Sequence, residues 1–280
     1  MSAPNWIAAE YDGKSLRSWS MHGPEVIGQD HCACDDTRLA DAVQALPDLP
    51  ILLADLNGAC PAGETATAPT PTTVALVNTI AGDRSILIAR GVTQPEPPAR
   101  LYGQTALVAG LVAADPQFDG VICVVGRHSH WIRVSAQEIC HFHGYLSGEL
   151  MDWIATDCAQ AGIEEPDIFL SALDDALSRP HRAHGRLLTL RGATGSGAAE
   201  LAGLLIGCEL ADAKPYWLGE TVAVTINGPL GELYALALER QGVTVRRPDH
   251  DAALLAGLHA AWKTLPLHQD IGASGPDRIT

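Results

Sequence analysis

The chain is expected to fold as α/β in two domains, and three observations point there. Apolar runs of strand length alternate with stretches of helical periodicity, the signature of strands layered with helices. The length of 280 residues suffices for two modest domains, each burying its own core. A buried strand running into a glycine turn opens the chain and recurs at 120–126, so a second unit begins after the middle helix.

The elements follow in order. "NWIAAEYDGKSLRSWSMHG" gives a strand at Trp6 to Ala9 and a tight turn at Asp12-Gly13. Its second strand sets Leu16, Ser18 and Ser20 on one face and Arg17 and Trp19 on the other, hence a hairpin. A helix at 37–46 precedes a buried strand, Ile51 to Ala54, ended by Asn57-Gly58. "SILIARGV" at 85–92 is a third strand, and "QPEPPARLYG" is a connection whose prolines exclude helix interior. "QTALVAGLVAAD" is helical, and the domain boundary is expected just after it, dividing the chain into 1–115 and 116–280. "GVICVVG" then opens the second unit, followed by an edge strand at 131–135 and helices at 146–160 and 167–178. Ser147 is placed to cap the first of these helices. An Arg/His-rich loop follows, then the long buried helix "GAAELAGLLIGCELADA" and the strand "TVAVTING". The helix "GELYALALERQG", closed by Gly242, and a last helix, "DAALLAGLHAAWKTL", complete the order. The polar tail after 266 is expected to fray.

With 18 Lys+Arg against 33 Asp+Glu, the formal net charge is −15. That charge argues against a nucleic acid or an anionic membrane surface as partner, while a small anion needs only a few local cations. No apolar run approaches the roughly 18 residues of a membrane-spanning helix. The seven cysteines are odd in number and scattered, and no secretory signal opens the chain, so free thiols in the cytoplasm are expected. "HCAC" at 31–34 lacks zinc-knuckle spacing and reads as a strand or turn with two ordinary thiols.

The stretch "VVGRHSHWIRV" at 124–134 admits three readings. Gly126 would let backbone approach a phosphate, with Arg127 and His130 presenting donors to the anion. His128 and His130, joined by His141 and His143 from a neighbouring strand, would supply four metal ligands. An ordinary surface or core role is the third.

Five segments, in the same order along the chain, give it a resemblance. "IAAEYDGKSLRSW" at 7–19 is similar to a pattern IA-x-DWGSTNLRAW, and "VGRHSHW" at 125–131 to PGTHSKW. "LSGEL" at 146–150 corresponds to MTGEL, "LAGLLIGCE" at 201–209 to LSGLLIGAE, and "INGPLG" more loosely to VAGTSL. The chain thus resembles the 2-keto-3-deoxygalactonate kinases, a family of the actin-like sugar kinases.

The resemblance implies two actin-like (ribonuclease H-like) domains around a cleft, the first on the substrate side and the second on the nucleotide side. It implies ATP and Mg2+ as cofactors, galactonate catabolism as the setting, a small sugar acid as partner, and leaves a homodimer open. Glu10 stands where the family's aspartate helps hold magnesium, so it is the expected catalytic and metal carboxylate. Asp12, Gly13 and Lys14 replace the Gly-Ser-Thr that wraps phosphates. Gly126, Arg127 and His128 form the second phosphate turn, and Asn227 with Gly228 borders adenine and ribose. Arg17 would meet the sugar acid's carboxylate, Tyr102 would lie against the substrate, and Glu149 would serve substrate binding or domain closure.

The departures are chemical. Glu10 adds a methylene to a ligand of an ion that tolerates little displacement, and Asp12 brings like charge to a triphosphate, with Lys14 there to offset it. The family's Arg-Gly-Glu-Glu aligns with Tyr102, Gly103, Gln104 and Thr105, so Gln104 occupies a catalytic position without a basic oxygen. General-base help is typically worth ~10² to 10⁴ in rate. Two functions are therefore expected: ATP-dependent phosphorylation of 2-keto-3-deoxygalactonate or a relative at its terminal hydroxyl, or a catalytically impaired homologue acting as a ligand-binding or regulatory protein. A metal-dependent hydrolase built on the four histidines is the third class.

Overall fold

The computed structural model describes residues 5–60 and 65–265; the tail expected to fray lies outside them. The first half runs β1 (Trp6–Tyr11), β2 (Ser15–His22), β3 (Glu25–Ala33), α1 (Leu39–Gln44), β4 (Ile51–Asp55), β5 (Ala66–Thr67), β6 (Thr70–Pro71), β7 (Leu76–Ala81), β8 (Arg84–Ala89), β9 (Val92–Gln94), β10 (Ala99–Leu101) and α2 (Gln104–Ala114). The second runs β11 (Gly120–Val124), β12 (Ser129–Ser135), β13 (Glu138–Tyr145), α3 (Ser147–Ile154), α4 (Cys158–Glu164), α5 (Pro166–Ser178), α6 (Pro180–Ala183), α7 (Ser196–Asp212), α8 (Lys214–Trp217), β14 (Thr221–Val224), α9 (Pro229–Arg240), β15 (Thr244–Arg246) and α10 (His250–Trp262).

The two main sheets share one plan. The first has the order β3-β2-β1-β4-β8-β7, and the second β15-β14-β11-β12-β13-β6. In each, the first strand pairs antiparallel with the second and parallel with the fourth, so an antiparallel meander joins a parallel half. This duplicated order is the actin-like arrangement that the resemblance implies.

Every residue of β1 is buried, because both faces of this central strand are covered. Ile7, Ala9 and Tyr11 pack with Ile51, Leu53 and Val43 beneath α1. Trp6 and Ala8 face the other way, into a core shared with α2, α10 and the inner face of the second sheet. There α2 and α10 lie between the sheets with backbones almost touching. A Cβ on Gly110 would sit 1.8 Å from the Ala253 carbonyl oxygen, and one on Gly257 1.9 Å from that of Ala106. Any side chain at either glycine would force the helices apart. Trp6 stacks on Trp262 at 5.3 Å between ring centroids, worth about 1 kcal/mol beyond the area buried. On its outer face the second sheet buries Val121, Cys123, Val222 and Val224 under α5, α7 and α9.

Several expectations are corrected. The segment 131–135 is no edge: β12 lies between β11 and β13, the neighbouring strand that carries His141 and His143. β3 and β7 were missed, for β3 is almost wholly exposed and carries no apolar alternation. The helix expected over 146–160 is two, separated where Asp157 adopts left-handed φ of 56°. The Arg/His-rich loop begins with the helical turn α6 and a 3-10 turn at His184–Arg186. No helix among the described residues is long and apolar enough to cross a membrane, and all seven cysteines are free.

Candidate active site

The two glycine turns face each other across a cleft between the sheets. The first is built by Asp12, whose Oδ1 accepts from the N–H groups of Lys14 (2.8 Å) and Ser15 (2.7 Å), with Gly13 between them at φ +92°. A Cβ there would lie 2.9 Å from both Arg127 and Asn57, so only glycine lets the turns approach this closely. The second turn follows β11, whose end is tied to β14 where the Val125 N–H donates to Thr225 Oγ1 at 3.2 Å.

Two chambers share Asp12, Gly126 and Arg127 and form one cleft. The larger, about 370 Å3, is also lined by Lys14, Gly148, Asp152, Cys158 and Leu230. The smaller, about 60 Å3, adds Glu10, Gln104, His128, Asn227 and His250. Eight residues singled out in the sequence therefore meet at one place: Glu10, Asp12, Lys14, Gln104, Gly126, Arg127, His128 and Asn227. Gly13 and Gly228 sit beside them in the turns, Gly228 at φ +81° immediately before α9.

Glu10 is buried and fully engaged. Its Oε2 accepts from Nε of Arg17 at 2.9 Å and from Nη2, and its Oε1 from Nε2 of His250 at 2.5 Å. Burial pushes its carboxyl upward, yet His250 and Arg17 outweigh it and hold the pKa below the ordinary value. With the Arg17 cation on one oxygen and His250 on the other, Glu10 is held as the partner of two donors, and the residues present do not fit a magnesium ion resident on it. Arg17 is not open to a substrate either. Its Nη1 lies 2.7 Å from Asp251 and its guanidinium covers Trp19, behind the cleft.

Gln104 is a backbone clamp: its Oε1 accepts from the Tyr102 N–H at 2.7 Å and its Nε2 donates to the Leu56 carbonyl at 2.9 Å. Tyr102 lies over Gly58, where a Cβ would come within 2.5 Å of the ring. Across the cleft Arg127 Nη2 donates to Glu149 Oε1 at 2.6 Å and His128 Nε2 to Glu149 Oε2 at 2.9 Å. These two bonds, Arg127's first, lower the Glu149 pKa. Lys14 pairs with Asp152 of α3 in an exposed bridge from one half of the cleft to the other. Arg127 lines both chambers, and its Nε is buried without a hydrogen-bond partner, so the guanidinium keeps an unused donor that fits an anion.

His130 does not present a donor to the cleft. It is 6% exposed on the inner face of the second sheet, and burial, with smaller contributions from His128 and His143, lowers its pKa to about 3. His141 and His143 meet Tyr216 and Tyr145 edge-on, and the described residues contain no group of three His, Cys, Asp or Glu arranged to hold a metal ion. The four-histidine site is thereby lost.

His250, Asp251 and Asp152 were missed. α10 begins at His250, one residue before the expected segment "DAALLAGLHAAWKTL", capped by Asp249, whose Oδ1 accepts the Ala252 N–H at 2.7 Å. Nothing local could pair His250 with a carboxylate 240 positions away.

The sequence model of the 2-keto-3-deoxy-galactonokinase family matches residues 31–261. A Rhizobium meliloti (strain 1021) protein carrying the name 2-dehydro-3-deoxygalactonokinase is 29% identical over 310 residues, covering 94% of this chain and 98% of that protein. A crystal structure of a 2-dehydro-3-deoxygalactonokinase protein from Sinorhizobium meliloti is similar at a TM-score of 0.76 and 27% identity, covering 96% of this chain and 100% of the other. This chain belongs to the 2-keto-3-deoxy-galactonokinase family.

Proposed function

We propose that the chain is an ATP-dependent kinase that moves the γ-phosphoryl group to the terminal hydroxyl of 2-dehydro-3-deoxygalactonate or a close relative. The observation that carries this reading is the pair of opposed glycine turns around one cleft, with Arg127, whose Nε is an unused donor, lining both chambers. Residues 116–280 take the nucleotide, with Gly126, Arg127 and His128 on its phosphates and Asn227 and Gly228 near adenine and ribose. Residues 1–115 take the sugar acid, and Asp12, Gly13 and Lys14 close over the phosphates. Magnesium enters with ATP as part of that substrate rather than residing on Glu10.

Phosphoryl transfer depends mainly on positioning and charge, which the two turns and their cations supply. Tyr102 and Glu149 act on the sugar acid through the residues they touch, Tyr102 through Gln104 and Glu149 through Arg127 and His128, while Arg17 holds Glu10 from behind. Free thiols suit a cytoplasmic setting. No observation favours a chain that binds without turnover. A coupled ADP-release assay with Mg-ATP and either 2-dehydro-3-deoxygalactonate or its gluconate epimer tests the proposal. ADP release that requires the acid and is faster with the galactonate form is expected; release no faster than with ATP alone, for both acids, defeats it.

A further inference from the structure

We infer that Glu209 is a positioning residue for the phosphate turn: its buried carboxylate ties Ser129, just after the turn, to Ser147, at the start of α3, fixing Arg127, His128 and Glu149 relative to one another. The inference rests on the proposed reading of that turn as the nucleotide's phosphate site.

Glu209 projects from α7 and is 3% exposed. Its four partners are all neutral. Oε1 accepts from Ser129 Oγ at 2.6 Å and Trp131 Nε1 at 2.8 Å; Oε2 accepts from Ser147 Oγ and from the Tyr234 hydroxyl at 2.7 Å. Burial raises its pKa, and the four hydrogen bonds work against that rise. A carboxylate buried among neutral donors adds little that a well-packed apolar side chain would not, so stability alone does not account for it. Its geometry does. Trp131 and Tyr234 anchor the carboxylate in the core, and the two serines lead from it to the cleft.

Ser147, expected as a helix cap, makes no capping bond; its hydroxyl is turned inward to Glu209. The next two residues touch the turn directly. A Cβ on Gly148 would lie 2.4 Å from the Gly126 carbonyl oxygen, and the Glu149 N–H donates to the Arg127 carbonyl at 2.8 Å. The turn and the helix start are thus packed backbone to backbone in front and pinned by one carboxylate behind.

The test compares Ser129→Ala, Ser147→Ala and Glu209→Gln with Leu173→Ala, a core change on α5 that removes none of the four hydrogen bonds to Glu209. The amide of Glu209→Gln can accept from Trp131 and Ser129 and donate to the other two hydroxyls, which rotate, so it is the conservative rescue. Amide hydrogen exchange is followed over 126–131 and 147–150, and KM for Mg-ATP and kcat are measured by ADP release. Each serine variant is expected to speed exchange about tenfold in those two segments alone. Each should also raise KM for Mg-ATP about fivefold with kcat within about twofold. Glu209→Gln should stay close to wild type, and Leu173→Ala should spread faster exchange through the domain without moving KM. Serine variants indistinguishable from wild type, or from Leu173→Ala, overturn the inference. Should the local exchange pattern hold in a protein with no Mg-ATP turnover at all, the pin stands and the phosphate reading falls.

Discussion

His250 and Glu10 meet at the floor of the cleft, Nε2 to Oε1, joining the first residue of the last helix to the central strand of the first sheet. The bond closes a cluster in which Arg17 holds the other carboxylate oxygen and reaches on to Asp251. Glu10→Ala would leave the buried His250 imidazole facing a void and Arg17 with Asp251 as its remaining carboxylate partner. We expect it to cost about 3 kcal/mol, since removing one member of a buried charge cluster leaves the others undercompensated. Urea unfolding with an unchanged m-value measures this, and a loss below about 1 kcal/mol would mean the cluster is not closed in solution.

Arg127 and Glu149 should respond to substitution in opposite senses. Arg127→Ala removes the guanidinium that lines both chambers and is expected to weaken Mg-ATP binding about tenfold or more. Glu149→Gln frees Arg127 and His128 from a competing carboxylate, so nucleotide affinity should hold or rise while KM for the sugar acid increases. Calorimetry paired with steady-state kinetics separates the two, and a matching fall in nucleotide affinity for both variants would contradict the exchange of partners.

His130 gives a pH signature. In the folded chain its pKa is lowered to about 3, against 6.5 for the ordinary group. Between those values the unfolded chain binds one proton more, so stability rises with pH and is lost as pH falls below the unfolded value. The wild-type slope should exceed that of His130→Leu by about 1.4 kcal/mol per pH unit between about pH 6 and pH 4. Denaturant midpoints for both proteins across that range decide it; parallel slopes would place a charged imidazole in the folded state.

Gln104→Glu is not expected to restore a base. The new carboxylate would face the Leu56 carbonyl, losing the 2.9 Å donor bond. A destabilisation of about 1–3 kcal/mol without a gain in kcat is the expected outcome. A rate increase of about tenfold or more would return Gln104 to the chemistry.

The sequence showed most where chemistry is local. The first hairpin, the buried strands β4, β11 and β14, and the helices α2, α7, α9 and α10 follow from periodicity and turn residues that need no partner to be read. β3 and β7 escaped because exposed or half-exposed strands show no clear apolar alternation, although each pairs with the strand beside it in sequence, β2 and β8. In the site, the glycine turns were legible as turns. What Glu10 and Arg17 do was not, because both are committed to each other and to residues of α10. His130, two residues beyond His128 of the glycine turn, was misread for a simpler reason: strand alternation sends it to the inner face of the sheet.

The most direct measurement is calorimetric titration of the wild-type protein and Arg127→Ala with Mg-ATP under identical conditions. One site per chain in the wild type, weakened about tenfold or more in the variant, is the expected result. Wild-type protein that takes up no Mg-ATP, or takes it up equally well without the Arg127 guanidinium, would contradict the assignment of the opposed turns as the phosphate site.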